Sequence, residues 1–449
     1  MSDRMPYLIG LDLGTSAIKG LLVDGRGRVC AEAGVDTNLL HPHEGWAEAD
    51  PAEHYPRVCG VLRTLAEAAP GPVTALAMAA ASGNTLLTQA DGTPLTPIMN
   101  WMDHRAEQEP LATLAGLDAD EVYRVAGWPW VKGFPLAHLA WLRERLPDLY
   151  RAAGHYAMDT DWLLQRLTGE WRMDRSTATT FYLQDQAAGE YYEPFLLRLD
   201  IALDKLSPLV DSGVPVGPLT EVAARDTGLS ASTLVVTGCF DHPSAARATG
   251  VLAPGELMLS CGTSWVGFTP AMERQTILDA QMLCDPFLSA RGGPWGGMLS
   301  VPYIGRTIDW YIDNLIAPGD TDRLRVFNDA AASASPGAGG LEIDLREPPH
   351  RIDAGRANLS RAVMEGAARL LDEKLLALGE HGMHFERAVM VGGPSASPLW
   401  TSIVAERLGL EVTVGGRSAG ALGAAMLAGI GAGIYRDEYD AHAKWTEER

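Results

Sequence analysis

Apolar and polar positions alternate in short, sharply bounded runs along the chain. Tyr7 to Leu13 is apolar except for Asp12 near its end, Gly14-Thr15-Ser16 follows, and Ile18 to Val23 is apolar again. Aliphatic runs of this length around a glycine turn predict a β-hairpin. "DGRGR" predicts a further turn, with a third strand starting at Val29. Helical patterns then alternate with strands. Ala75 to Ser82 reads as a strand entering a loop. "PLAHLAWLRERLPDLYRAA" reads as a helix pair interrupted at Pro147, and "DTDWLLQRLTGEW" as a helix stopped by Gly169. "STLVVTGCFDHP" is expected to be a strand that ends at Gly238 and meets the start of a helix.

The opening pattern returns later. "GELMLSCGTSWVGFTP" is strand, Gly262-Thr263-Ser264, strand, with the turn 248 residues after the first. The shared strand–turn–strand context favours a duplicated lobe over coincidence. The copies differ two residues before the glycine, where Asp12 corresponds to Ser260. "SVPYIGRTIDWYIDNL" follows as a loop entering a helix, "SASPGAGG" as a linker or loop, and "NLSRAVMEGAARLLDEKLLAL" as a long amphipathic helix. "RAVMVGGPSASPLWTSIVAERLG" reads as strand, glycine turn and helix, and "SAGALGAAMLAGIGAG" as a helix of small residues. Both halves mix strands with helices, so two α/β lobes with a cleft between them are expected, divided near residue 250.

Composition narrows the class of function. A chain of 449 residues is too long for one ordinary core. Its net charge of −21 repels polyphosphate backbones, which argues against a nucleic-acid partner. Five cysteines without CxxC spacing argue against a zinc cluster or a disulfide framework. No signal-peptide pattern opens the chain, and no apolar run approaches the ~18 residues of a membrane span. A cytoplasmic protein is the expectation.

The two Gly-Thr-Ser turns are candidate phosphate sites. Successive backbone N–H groups at a glycine turn form a nest for an anion, and the hydroxyls add donors. The plain alternative is a good hairpin turn. Asp12 is either a carboxylate capping its own turn or a ligand for Mg²⁺ beside phosphates. Lys19 is either a phosphate partner or a strand-edge lysine. Asp241 is either the N-cap of the helix opened by Pro243 or a general base that accepts a hydroxyl proton. His242 is a candidate substrate contact. Gly392-Gly393 can host a nucleotide at a helix N-terminus. "GIGAG" near Gly429 ends a helix rather than joining strand to helix, so it is set aside as a dinucleotide fingerprint.

Together these stretches resemble the FGGY carbohydrate kinases, within the actin-like ATPase fold. Asp12-Leu-Gly14-Thr15 with Lys19 resembles their first phosphate motif and "CGTSWV" the second. "GCFDH" is similar to the turn bearing the catalytic aspartate, and "GGPSASPLW" to the adenosine motif. Weaker echoes are "GWAEADP", "NWMDHRA", "LTGEWRMDRSTAT", "RAVMEG" and "ALGAAMLAG", all in family order from about residue 7 to 435.

The resemblance implies two actin-like (ribonuclease H-like) α/β lobes with an interlobe catalytic cleft. Residues 1–250 would carry the sugar site, the first phosphate motif and the catalytic aspartate, and residues 251–449 the ATP site. It implies Mg-ATP as phosphate donor, Asp241 as base, and Asp12 and Asp241 near the metal. Gly14, Thr15, Ser16, Lys19, Gly262, Thr263, Gly305, Gly392, Gly393 and Ser397 would surround the nucleotide. Ser82, Asn84, Trp101, Asp103, Arg105, Asp241 and His242 would face a small sugar or polyol. The overall pattern is closest to xylulokinases, with other FGGY substrates (glycerol, a tetritol, ribulose or gluconate) as the alternative. No membrane partner is expected, and a homodimer is the one assembly entertained.

The sequence departs from the xylulokinase pattern at four places. Ser82 stands where a sugar-binding histidine is usual, and His242 where asparagine is usual. Pro394 replaces a third glycine, and the segment 341–360 is shortened. A second class, an actin-like ATPase indifferent to sugars, would hydrolyse ATP slowly whatever polyol is added.

Overall fold

The structure, a computed structural model, describes residues 5–81 and 83–446. Two compact units are present. Of the described residues, the first comprises those of 5–250, 283–293 and 418–446, and the second 251–282 and 294–417. The expected split at 250 thus marks the end of the first segment only. Two later stretches of chain pack back into the first unit.

The first unit is built on a six-stranded sheet. Its strands are β1 (Tyr7–Leu13), β2 (Ala17–Asp24), β3 (Val29–Asp36), β4 (Val73–Ala80), β5 (Pro215–Pro218) and β6 (Leu234–Phe240), in the order β5-β6-β4-β1-β2-β3. β1 and β2 form the expected antiparallel hairpin, and β4 runs parallel to both β1 and β6. A central strand must be apolar on both faces, and β1 is. Ile9, Leu11 and Leu13 face α1 (Pro51–Ala68), while Leu8 faces a second helix on the other side. α1 starts at Asp50, whose carboxylate caps Ala52 N–H, with Pro51 at the first turn. It buries Tyr55, Val58, Cys59, Leu62 and Leu65, the i, i+3, i+4, i+7 stripe of a sheet-packed helix.

β6 does not end at Gly238 but continues to Phe240, where α2 (Asp241–Thr249) begins. The glycine has a different cause. A Cβ on Gly238 would stand 1.7 Å from Met78 O, and the β6–β4 register shifts between Val236 and Cys239. It marks a bulge with close backbone approach rather than a strand end.

In the second unit the strands are β7 (Glu256–Cys261), β8 (Trp265–Ala271), β9 (Trp295–Val301), β10 (Arg387–Gly392) and β11 (Glu411–Val414), ordered β9-β8-β7-β10-β11. β7 pairs antiparallel with β8 and parallel with β10, and β10 parallel with β11. Strand for strand this repeats β3-β2-β1-β4-β6, so the Gly-Thr-Ser echo belongs to a repeated topology. α3 (Arg356–Gly379) and α4 (Pro398–Leu408) belong to this unit.

The helix of small residues, α5 (Ala419–Gly431), is the cover on the far face of β1. Its composition follows from distance. A Cβ on Gly10 of β1 would lie 1.8 Å from Ala421 O, and one on Gly423 would lie 1.9 Å from Ser244 O in α2. Only small residues permit such approaches. Among the described residues, no helix is long and apolar enough to cross a membrane.

Candidate active site

Strand register places the site of the first unit. Leu13 pairs with Ala80, and Ala80 with Phe240, so Gly14, Ala81 and Asp241 are the first residues past three aligned carboxyl ends. Ligands in open α/β sheets bind beyond such ends. Asp12 and Asp241 flank β4 there. Burial, and then the Asp241 charge, push Asp12 up to about 7, against the pull of Lys19. Lys19 is exposed and directly opposite Asp12 across the hairpin, so the two side chains share a face.

Asp241 keeps 26% of its side chain exposed. Burial holds its carboxyl above the ordinary range, opposed by the His242 charge and by the His242 N–H that Oδ1 accepts at 2.6 Å. It is the first residue of α2; the N-cap position belongs to Phe240, which makes no side-chain cap. His242 Nδ1 lies 3.9 Å from Asp241 Oδ1, and its ring meets Phe240 edge-on at 5.5 Å.

Asp12 is a recessed carboxylate whose proton affinity is raised by burial and by the Asp241 charge, only partly offset by Lys19, and a cation would relieve that. Mg²⁺ takes one or two protein carboxylates and completes its shell with phosphate and water. Among the described residues, no group of three or more His, Cys, Asp or Glu forms a fuller metal cage. The donor set therefore fits Mg²⁺ carried with a nucleotide. A Cβ on Gly420 of α5 would lie 2.7 Å from Asp12 Oδ2, so that glycine keeps the carboxylate's surroundings clear.

The Gly14-Thr15-Ser16 turn closes through Gly14 N–H to Ala17 O at 3.1 Å. Thr15 is held twice: its carbonyl accepts Thr37 Oγ1 at 2.5 Å, and its hydroxyl accepts Trp101 Nε1 at 2.9 Å. Ser16 is exposed. Trp101 is 37% exposed.

The remaining sugar-site expectations divide. Ser82 lies outside the described residues. Asn84 is buried and hydrogen-bonded at both ends of its amide, donating to Asp159 Oδ2 at 2.8 Å while Oδ1 accepts Asn100 Nδ2 and Trp101 N–H at 3.1 Å each. Below it, His54 Nε2 stands 3.9 Å from Asp159 Oδ2. Asp103 and Arg105 belong to a buried ion group, not to an open surface. Asp103 accepts Ala47 N–H at 2.7 Å and Arg105 Nε at 2.9 Å. Arg105 Nη2 reaches Glu48 at 2.6 Å, and its guanidinium lies 3.5 Å over the Trp46 ring. Both Asp103 oxygens and the Nε and Nη2 of Arg105 are spent internally. The motif pattern could not distinguish this from a substrate contact.

In the second unit, Gly262, Thr263, Gly305, Gly392 and Gly393 converge at the ends of β7 and β10. Gly305 donates its N–H to Thr263 O at 2.9 Å, and a Cβ there would stand 2.3 Å from Gly262 O. Gly392 pairs with Cys261 at φ +95°, where a Cβ would stand 2.3 Å from Cys261 O. Backbone free of side chains at strand ends admits the close approach that polyphosphate needs. Ser397 caps α4, its Oγ accepting Trp400 N–H at 3.4 Å.

Comparison with known proteins agrees with this architecture. Residues 7–247 match the N-terminal domain of the FGGY family of carbohydrate kinases and residues 335–432 its C-terminal domain. An autoinducer-2 kinase of Klebsiella pneumoniae subsp. pneumoniae is 29% identical over 96% of this chain and 87% of its own length. One from Yersinia pseudotuberculosis serotype O:3 is 28% identical with the same coverage. Among solved structures, xylulose kinase from Rhodospirillum rubrum aligns at TM-score 0.82 with 25% identity, covering 95% of this chain and 90% of its own. Gluconate kinase from Lactobacillus acidophilus aligns at 0.86 with 20% identity, covering 98% and 92%. With a duplicated actin-like topology and matches spanning both halves, the chain belongs to the FGGY family of carbohydrate kinases, enzymes that transfer phosphate from ATP with Mg²⁺.

Proposed function

We propose that this kinase phosphorylates a hydroxyl of a small sugar-derived compound of the kind handled by autoinducer-2 kinases, with Asp241 as general base. The observation that carries the reading is the pair Asp12 and Asp241 at the ends of the two strands that flank β4, one opposite a lysine and the other opening a helix. The identity to autoinducer-2 kinases along 96% of the chain supports the substrate class. D-xylulose is the second reading, favoured by the 25% identity to a xylulose kinase of the same fold.

Asp241 would accept the proton of the attacking hydroxyl, and its raised proton affinity suits that task better than an ordinary carboxylate. Asp12, with Asp241 close by, would hold Mg²⁺, which supplies charge neutralisation at the phosphates. Gly14, Thr15 and Lys19 in the first unit would contact phosphate. Gly262, Thr263, Gly305, Gly392 and Gly393 would do so in the second, with the start of α4 beside the nucleoside. Trp101 and His242 offer the exposed faces for the acceptor.

The test is coupled ADP release with Mg-ATP over autoinducer-2, ketopentoses, ketohexoses, tetroses, polyols and aldonates. Release that depends on autoinducer-2 is expected. Release that depends on D-xylulose alone would replace the first reading by the second, and slow hydrolysis indifferent to every acceptor would defeat both. Asp241→Asn should lower turnover by about three powers of ten or more and leave ATP binding intact.

A further inference from the structure

The start of α2 is held by buried side chains outside the expected phosphate and sugar residues. Phe240, the residue before Asp241, donates its backbone N–H to Ser176 Oγ at 3.1 Å. Ser176 Oγ donates to Asp285 Oδ2 at 2.6 Å. Asp285 Oδ1 accepts Phe287 N–H at 2.8 Å, so both carboxylate oxygens are engaged. Ser176 and Asp285 are both buried. Arg247, further along α2, donates to Phe287 O at 2.9 Å and to Glu438 at 3.1 Å. The 283–293 stretch therefore grips α2 twice: through Ser176 at the Cys239–Phe240 peptide just before the helix, and through Phe287 at Arg247.

Burying a carboxylate is costly unless its lone pairs are satisfied. Here burial raises the Asp285 proton affinity, and the Ser176 hydroxyl and the Arg247 charge oppose that. The cost is understandable if orientation matters. A hydroxyl has one hydrogen. Spent on Asp285, it leaves only lone pairs to face Phe240 N–H. The β6 bulge lies just upstream, where the ladder with β4 is out of register. The last amide of the strand thus takes a side-chain acceptor at the point where the backbone turns to deliver Asp241.

We propose that Ser176 and Asp285 are positioning residues for the Asp241 carboxylate, fixing the Cys239–Phe240 peptide one residue before it and hence the direction in which the carboxylate leaves the strand end. The proposal rests on the reading of Asp241 as base. A misplacement of about 1 Å at a reacting group costs on the order of 10²-fold in rate, so loss of the anchor reads out in turnover rather than in binding.

The experiment uses the full chain with Ser176→Ala, Ser176→Thr, Asp285→Asn and Asp241→Asn. Turnover is measured with the acceptor that drives ADP release or, lacking one, as Mg-ATP hydrolysis by water. ATP affinity is measured by calorimetry and folding by thermal melting. For Ser176→Ala and Asp285→Asn, kcat should fall about tenfold or more, with acceptor KM and ATP Kd within about twofold of wild type. Ser176→Thr, which keeps the hydroxyl, should recover most of the loss. The double variant Ser176→Ala/Asp285→Asn should be no worse than Ser176→Ala alone. Should Ser176→Ala fail to fold, Asp285→Asn and Ser176→Thr carry the same comparison. An inactive Asp241→Asn beside a folded Ser176→Ala or Asp285→Asn of wild-type kcat overturns the positioning role. Wild-type turnover in Asp241→Asn overturns the base reading instead.

Discussion

Trp101 and Thr15, 86 residues apart, hold one another: the indole Nε1 donates to the threonine hydroxyl at 2.9 Å. The bond ties the half-exposed face of the Asn100–Asp103 loop to the first Gly-Thr-Ser turn. Trp101→Phe removes the donor and keeps the aromatic surface. A neutral hydrogen bond contributes about 1 kcal/mol net, so steady-state kinetics should show KM for Mg-ATP raised by about fivefold. An unchanged KM would mean that the turn keeps its shape without the indole.

Arg105 should behave as a structural residue. It is 5% exposed, paired with Asp103 and Glu48, and stacked on Trp46. Removing one member of a buried ion group strands the others and costs about 3–5 kcal/mol. Arg105→Met should lower the denaturation midpoint accordingly. A variant with wild-type stability but a lost acceptor KM would restore Arg105 to the sugar site.

Two glycines should respond oppositely to alanine. At Gly10 a Cβ would penetrate the α5 backbone, 1.8 Å from Ala421 O and 2.4 Å from Ala425 N. Overpacking of this severity should cost about 3 kcal/mol. At Gly60, exposed in α1, a Cβ would meet nothing within 4 Å. Gly60→Ala should stabilise by roughly 0.5–1 kcal/mol through helix propensity. Urea unfolding of the pair checks both signs.

Asp161 gives a pH dependence of stability. It is fully buried, accepts Met158 N–H at 2.7 Å and Ser207 Oγ–H at 2.6 Å, and burial pushes its carboxyl up to about 8. Its folded pKa therefore lies above the unfolded value of 3.8. Between those values the folded state binds more protons, so this group's contribution is most favourable in acid and declines as pH rises from about 4 to 8. Asp161→Asn removes that decline. The melting temperature of the variant relative to wild type should improve steadily from pH 5 to pH 8, and a difference independent of pH would refute the assignment.

The hairpins were legible in the sequence because a glycine turn between two aliphatic runs has few other solutions. Their repetition was legible because Gly-Thr-Ser recurs in the same context. The place of α5 was not: small residues announce close approach but do not name the partner, and β1 lies some 400 residues earlier. Gly238 was misread because a glycine that admits a neighbouring backbone looks, in one dimension, like one that ends a strand. Asp103 and Arg105 carried the right residue types, yet only the arrangement of Glu48, Ala47 and Trp46 around them shows where their hydrogen bonds go. Ser176 and Asp285 are 109 residues apart, and neither residue type stands out in its local pattern.

The return of α5 to β1 has a consequence for biosynthesis. The first sheet is complete once residue 240 has emerged, but the face formed by Leu8, Leu21, Val23, Ala75 and Ala77 waits for residues 421–428 to cover it. Through the intervening synthesis, nearly two hundred residues at roughly 5–20 per second, that apolar face has no native partner. The nascent chain should therefore depend on a holding chaperone over that interval, and the first unit should gain its full resistance to protease only after α5 has been made.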